Sequence, residues 1–180
     1  DYARKILGRA LLHPSLKRDT ALALKIAQQQ ALCTYKDQNL SADKRFDDAL
    51  SILDGAHRQL GESLDTTKDQ ETLGQAGAIN KYRWEISGQK QHLEQSLNYY
   101  LRGYVEGVAS DHGYTAINAA FVLDLLASLE SVDVEKSHPA YQDIERRRDR
   151  ARQIRDKIME VVPSQASQQG MQWLNEQWWF

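Results

Sequence analysis

Apolar residues recur at helical spacing along this chain, and this periodicity constrains the fold more than any other feature. Eight segments carry apolar side chains at positions i, i+3, i+4 and i+7, which places them on one face of an α-helix. No segment alternates apolar and polar residues for long enough to predict a strand. The predicted helices are 2–12, 19–35, 43–60, 70–86, 90–108, 115–128, 138–162 and 171–180. The sequence therefore predicts an all-α fold.

A small–bulky–small pattern recurs in alternate helices of this series. Its copies begin 46 and 47 residues apart, and they are Ala3–Leu7–Ala10, Ala49–Leu53–Ala56 and Ser96–Tyr100–Gly103. The intervening helices carry small residues at Ala31, Gly77 and Ala120. Small residues let neighbouring helices approach closely, and one helical hairpin buries too little apolar surface to be stable alone. The pattern therefore predicts an α-solenoid of degenerate tetratricopeptide-like hairpins.

The hairpins predicted within this single helical-repeat domain, residues 1–180, are 19–60, 70–108 and 115–162. Segments 1–12 and 171–180 are predicted to be halves of flanking hairpins, because the chain lacks an initiator Met and ends abruptly in "EQWWF". We therefore expect a fragment of a longer protein. A helix as apolar as 171–180 predicts self-association when its partner hairpin is missing.

Composition excludes several functional classes. Charged residues make up 27% of the chain and the net charge is −2, so no overall attraction to nucleic acid or to an acidic membrane is expected. Cys33 is the single cysteine, which excludes an internal disulfide and a cysteine-based metal site. No leader opens the chain, and no apolar run reaches the roughly eighteen residues of a membrane span. These features predict a cytoplasmic protein without a membrane partner.

Three stretches near the middle of the chain carry a family resemblance: "ETLGQAGAINKYRWE" (71–85), "SLNYYLRGY" (96–104) and "GYTAINAAFVLDLLA" (113–127). The residues that carry it are Glu71, Thr72, Leu73, Gly77, Ile79, Lys81, Ser96, Leu97, Tyr100, Arg102, Gly103, Tyr114, Ile117, Asn118 and Ala120. The order and spacing resemble the TRAF-binding, tetratricopeptide-like region of apoptosis-signal-regulating kinases and its non-kinase, bacterial-type relatives. This resemblance implies a signalling scaffold that binds other proteins, although not a TRAF partner in particular.

A binding groove is predicted along the first helix of each hairpin, the position that lines the concave face of such a solenoid. If each first helix turns its small residue (Ala31, Gly77 or Ala120) toward its partner helix, nine polar and aromatic side chains lie near the groove. They are Gln28, Tyr35, Lys36, Glu71, Lys81, Tyr82, Tyr114, Asn118 and Asp124. Such side chains suit a protein or peptide partner. Asn118 has a second interpretation, since an amide in a very apolar helix also serves to brace the adjacent backbone.

Catalysis and metal binding find little support in the sequence. The five histidines share no metal-ligand spacing, and Glu135 with His138 is only half of a di-iron motif. Phosphate-loop, dinucleotide and nucleophile-elbow motifs are absent. We therefore predict no enzyme activity, no cofactor and no metal.

An alternative partner is suggested by "ERRRDRARQIRDK" (145–157), which holds seven basic and three acidic residues. Such a helix can contact nucleic acid or another polyanion. The interleaved acids and their i, i+3 or i+4 spacing favour instead a solvated helix face whose charges pair with one another. A third alternative is that the chain only rigidifies or oligomerises a larger enzyme.

Overall fold

The computed structural model describes residues 2–169 except Asp133 and Lys136, and that part of the chain folds into seven α-helices without a strand. The helices are α1 Tyr2–Leu11, α2 Thr20–Tyr35, α3 Ala42–Arg58, α4 Gln70–Ser87, α5 Lys90–Val105, α6 Tyr114–Glu130 and α7 Ala140–Gln169. A short 3-10 helix, Pro14–Lys17, follows α1. The all-α prediction is confirmed, and the predicted segment 171–180 lies outside the described residues.

Local chemistry explains where several helices begin and end. The side chain of Asp19 accepts a hydrogen bond from the Leu22 N–H, and Asp69 does the same for Thr72, so each aspartate caps the following helix. Gly88 ends α4 in the left-handed conformation, with φ of 69°, where glycine carries no steric penalty. Two predicted ends differ by three residues or more: α5 ends at Val105 instead of 108, and α7 continues to Gln169, with Pro163 inside it, instead of ending at 162.

The chain forms two compact units, and the boundary between them follows Tyr99. In the first unit α1 packs on α2, α2 packs on α3, and α4 packs on both α2 and α3. Packing of α2 on α4 is the contact between the first helices of successive hairpins that a solenoid requires. The core residues are Ala31, Tyr35, Phe46, Ala49, Leu53, Leu64, Ala76 and Ile79.

Equivalent positions of the first helices, α2, α4 and α6, are buried in the same pattern. The buried triplets are Ala27–Ala31–Thr34, Leu73–Gly77–Asn80 and Ala116–Ala120–Leu123. Thr34 and Asn80, which are 46 residues apart, each donate a side-chain hydrogen bond to the carbonyl four residues earlier, over 2.6 and 2.9 Å. The buried positions and these two hydrogen bonds therefore recur at the same intervals as the small residues Ala31, Gly77 and Ala120.

Helix α4 is buried around its whole circumference over residues 72–80. Three polar side chains, Thr72, Gln75 and Asn80, lie within this run. The Ser96 hydroxyl of α5 donates to the Gly77 carbonyl over 2.8 Å. The middle of α4 is therefore a packing element and not an open binding surface.

The second unit is built on α6 and α7, which pack against each other along their lengths. Ile144, Ala151 and Ile154 of α7 are buried. Two ion pairs join the helices: Arg147 donates to both carboxylate oxygens of Glu130 over 3.0 and 3.2 Å, and Arg155 donates to Asp124 over 2.7 Å.

The loop between α3 and α4 is fastened to α3 by one carboxylate. The Leu64 N–H donates to Asp54 over 2.9 Å and holds the pKa of that carboxyl below its usual value. The Arg58 side chain, 2.6 Å from the second oxygen of Asp54, lowers this pKa further. Ionised Asp54 therefore stabilises the loop.

This contact predicts a loss of stability in acid. The lowered pKa contributes stability that is present above the unfolded value, about 3.9, and is lost as the pH falls through the folded value. Asp54→Asn keeps the acceptor oxygen but not the charge, so we expect it to be about 1 kcal/mol less stable than wild type at neutral pH. Urea unfolding between about pH 7 and pH 3 should show this difference shrinking toward zero below about pH 4. A difference independent of pH would contradict this role.

Candidate functional site

The nine predicted groove residues fall on both units of the chain. Six belong to α2, its C-terminal end and α4 in the first unit, and Tyr114, Asn118 and Asp124 belong to α6 in the second unit. Each group is described separately.

Gln28 and Tyr35 are interior residues. Gln28 is 5% exposed, and its amide nitrogen donates to Asp69 Oδ1 over 2.7 Å and to Thr72 Oγ1 over 3.0 Å. Tyr35 is 7% exposed and belongs to the core of the first unit. Both side chains hold α2 in place instead of presenting a free surface, because α4 packs over the face of α2 that the sequence assigned to the groove.

A buried polar network surrounds Thr72. His57 Nε2 lies 2.9 Å from the Thr72 hydroxyl, and His57 Nδ1 lies 3.2 Å from Glu62 Oε2. Because the Glu62 carboxylate only accepts, a neutral His57 carries its hydrogen on Nδ1, and its Nε2 then accepts from the Thr72 hydroxyl. The order Thr–His–Glu matches that of a catalytic triad, but Thr72 is 0% exposed and no substrate can reach it. The network is therefore structural.

Two exposed side chains at the C-terminal ends of α2 and α4, Lys36 and Tyr82, form what we call the tyrosine patch, and both border the ring of the buried Tyr35. The rings of Tyr35 and Tyr82 are 5.9 Å apart, and the Lys36 ammonium lies 5.9 Å from the Tyr35 ring centre. Lys36 and Tyr82 are exposed, whereas the adjacent Lys81 is half-buried. Glu71 is exposed at the other end of α4 and accepts a hydrogen bond from Gln75 over 2.7 Å.

One face of α6 carries the three other predicted residues together with two that the sequence analysis missed. Tyr114, Asn118 and Asp124 follow helical spacing, and Ile117 and Phe121 lie between them on the same face. Ile117 is 46% exposed and Phe121 is 53% exposed. We call these five residues the α6 face.

Asn118 braces its own helix. Its side-chain nitrogen donates to the Tyr114 carbonyl over 2.9 Å, one turn earlier. This hydrogen bond is of the kind expected if Asn118 braces the adjacent backbone. Asp124 is fixed by its ion pair with Arg155.

The basic helix 145–157 lies within α7 and is largely neutralised. Six of its seven basic residues have a carboxylate partner: Arg146 with Asp143, Arg147 with Glu130, Arg148 with Glu145, Arg152 with Asp149, Arg155 with Asp124 and Lys157 with Glu160. The hydrogen bond from Arg148 also holds the pKa of Glu145 below its usual value. These pairs match the interpretation of this helix as a self-paired charged face.

Among the described residues, no three His, Cys, Asp or Glu side chains come together as metal ligands. Within the same residues, no helix is both long and apolar enough to cross a membrane.

Stacked helical hairpins with buried small residues and an exposed face on the first helix define a protein of the tetratricopeptide-repeat class. Consistently, the family model Tetratricopeptide Repeats-Sensor, TPR-S, matches residues 3–123, from α1 into α6. The chain belongs to this TPR-S family. Searches of curated proteins and of solved structures found no significant match.

Proposed function

We propose that this chain is a protein-interaction module that binds a protein or peptide segment on the exposed faces of its first helices. The observation that carries the proposal is the exposure of Ile117 and Phe121 on α6, a helix in which eight of 17 residues are buried. Large apolar side chains on a rigid helix, bordered by polar groups, are the usual anchors of peptide recognition.

The α6 face supplies both kinds of contact. Ile117 and Phe121 lose apolar surface to a partner, while Tyr114 and Asp124 can form hydrogen bonds at the border. The Asn118 hydrogen bond and the Asp124–Arg155 ion pair hold the face in one conformation before a partner arrives. Such preorganisation lowers the entropy cost of binding.

The tyrosine patch of the first unit supports the same function. Tyr82 is 40% exposed and Lys36 extends over the neighbouring ring, so the patch combines aromatic area with a positive charge. Glu71 and Lys81, also predicted for the groove, flank the buried run 72–80 of α4 and are kept as proposed contacts. The resemblance to the TRAF-binding region and the predicted signalling role in the cytoplasm agree with this proposal and stay predictions.

The test is affinity capture from a lysate of the source cells, with and without nuclease. We expect wild type to retain a protein partner after nuclease treatment. Phe121→Asp should capture at least tenfold less of this partner, because a charge that becomes buried on binding replaces an apolar anchor. The matched control is Met159→Asp on α7, since Met159 is equally apolar and 71% exposed. Circular dichroism would show that both variants remain folded.

Two outcomes would contradict the proposal. Equal losses in Phe121→Asp and Met159→Asp would mean that the α6 face is not the binding surface. Capture that disappears with nuclease would favour a polyanion partner, the alternative first suggested by residues 145–157.

A further inference from the structure

Three cationic side chains cover two aromatic rings of the core in the first unit. The Lys36 ammonium lies 5.9 Å from the centre of the Tyr35 ring. The guanidinium carbons of Arg45 and Arg83 lie 4.8 and 5.8 Å from the centre of the Phe46 ring. Both rings are buried, whereas Lys36 is exposed and the two arginines are half-buried. Attraction between cations and ring faces therefore holds three positive charges in place at the surface.

These cations lie at the same end of the unit, because a short turn joins α2 to α3. Lys36 follows the last residue of α2, and Arg45 lies in the first turn of α3. The end of α4 joins them, since the Arg83 guanidinium is 2.5 Å from the carboxylate of Asp47 on α3. We call Lys36, Arg45 and Arg83 the cationic end of the first unit.

Two of the three charges are not compensated by the protein. Arg83 pairs with Asp47, but Lys36 and Arg45 make no ion pair within the part of the chain that the structure describes. The Nε atom of Arg45 is buried and has no hydrogen-bond partner among the same residues. Lysine and arginine carry only hydrogen-bond donors, so these two side chains offer donors and charge that the protein leaves unused.

The complementary ligand is a short acidic segment that carries separate carboxylates. Carboxylates only accept hydrogen bonds, and their bonds with guanidinium and ammonium groups are stronger than those between neutral partners. Tyr82, 40% exposed, adds an aromatic surface next to the ring below Lys36. A nucleic acid fits less well, because its continuous row of phosphates would approach the exposed carboxylates of Asp43 and Asp47 on either side of Arg45.

From these observations we propose that the cationic end binds an acidic segment of a partner protein, with side-chain carboxylates on Lys36 and Arg45 and an apolar or aromatic residue against Tyr82. This inference rests on the proposed function, because it specifies the chemistry of the segment that the first unit binds. The core rings hold the cations before the segment arrives, which lowers the entropy cost of ordering them.

The experiment measures binding of the full chain to synthetic copolymers by fluorescence anisotropy. The probe is a random copolymer of glutamate and tyrosine, and a copolymer of lysine and tyrosine is its counterpart of opposite charge. Arg45→Gln removes one charge of the cationic end, and Lys44→Gln is the matched control, since Lys44 is already paired with Asp48 over 3.0 Å. We expect the affinity for the glutamate copolymer to fall at least about tenfold for Arg45→Gln and less than about twofold for Lys44→Gln. Circular dichroism would verify that both variants are folded.

Other results would overturn the proposal. Equal losses in the two variants would show that binding depends on total charge and not on this surface. A wild type that does not bind the glutamate copolymer, or binds it no better than the lysine copolymer, would show that no acidic segment is recognised. Duplex DNA that binds more tightly than the glutamate copolymer, and loses this affinity in Arg45→Gln, would assign the surface to nucleic acid. Phe121→Asp changes the other unit and should leave copolymer binding unaltered, which separates this test from that of the α6 face.

Discussion

Replacing Gly103 with alanine is expected to lower the free energy of unfolding by about 1–3 kcal/mol. A Cβ at this position would lie 2.5 Å from Thr115 Cγ2 and 2.9 Å from Thr115 Cβ, closer than carbon atoms can pack. Thr115 cannot easily turn away, because it is 0% exposed and its hydroxyl donates to Asp111 over 2.5 Å. Urea unfolding of the variant and wild type, followed by circular dichroism, measures the effect.

Thr115→Ser is the matched second-site change. It removes the methyl group that the new Cβ would strike and keeps the hydroxyl that bonds to Asp111. In a double-mutant cycle we expect Gly103→Ala to cost less in the Thr115→Ser background than in wild type, with the remainder due to the 2.9 Å approach to the Cβ of residue 115, which serine retains. Additive effects would show that the clash with this methyl group is not the cause of the destabilisation.

Removing the Thr72 hydroxyl is expected to destabilise the first unit by at least about 2 kcal/mol. Thr72→Val keeps the shape of the side chain, but it leaves one N–H of Gln28 and the Nε2 atom of His57 without their partner inside the protein. Each buried polar group that loses its hydrogen bond costs about 1–3 kcal/mol. Urea unfolding at neutral pH measures this loss.

Thr72→Ser provides the comparison, since it retains the hydroxyl and removes one methyl group. We expect it to cost about 0.8 kcal/mol, the value of one buried methylene-sized group. The Thr72 N–H still caps the helix through Asp69 in both variants, because that bond involves only the backbone of residue 72. Equal stability of the valine and serine variants would argue against a role for the hydroxyl.

The helices were predictable from the sequence because their signals are local. Apolar periodicity, the turn at Gly88 and the spacing between Ala31 and Gly77 involve residues that are near in sequence or repeat at a fixed interval. The end of α7 was not predictable in this way, because a proline normally ends a helix whereas Pro163 lies inside α7.

The site was less predictable because exposure depends on contacts between distant segments. Gln28 looks like a surface residue in sequence, yet Asp69 and Thr72, 41 and 44 residues later, bond to it in the interior. Conversely, Phe121 lies in an apolar run that suggests burial on all sides. Its side chain is nevertheless 53% exposed, and nothing in the sequence marks which side chains of such a helix keep exposed surface.

The enclosure of α4 bears on how the first unit would come apart. In a simple solenoid each repeat touches only its neighbours, so a terminal hairpin can fray while the rest persists. Here the amides of residues 72–80 have no solvent-facing side through which to open locally. Their hydrogen exchange would therefore require opening of the surrounding helices, which makes α4 the segment whose protection reports the global stability of the unit.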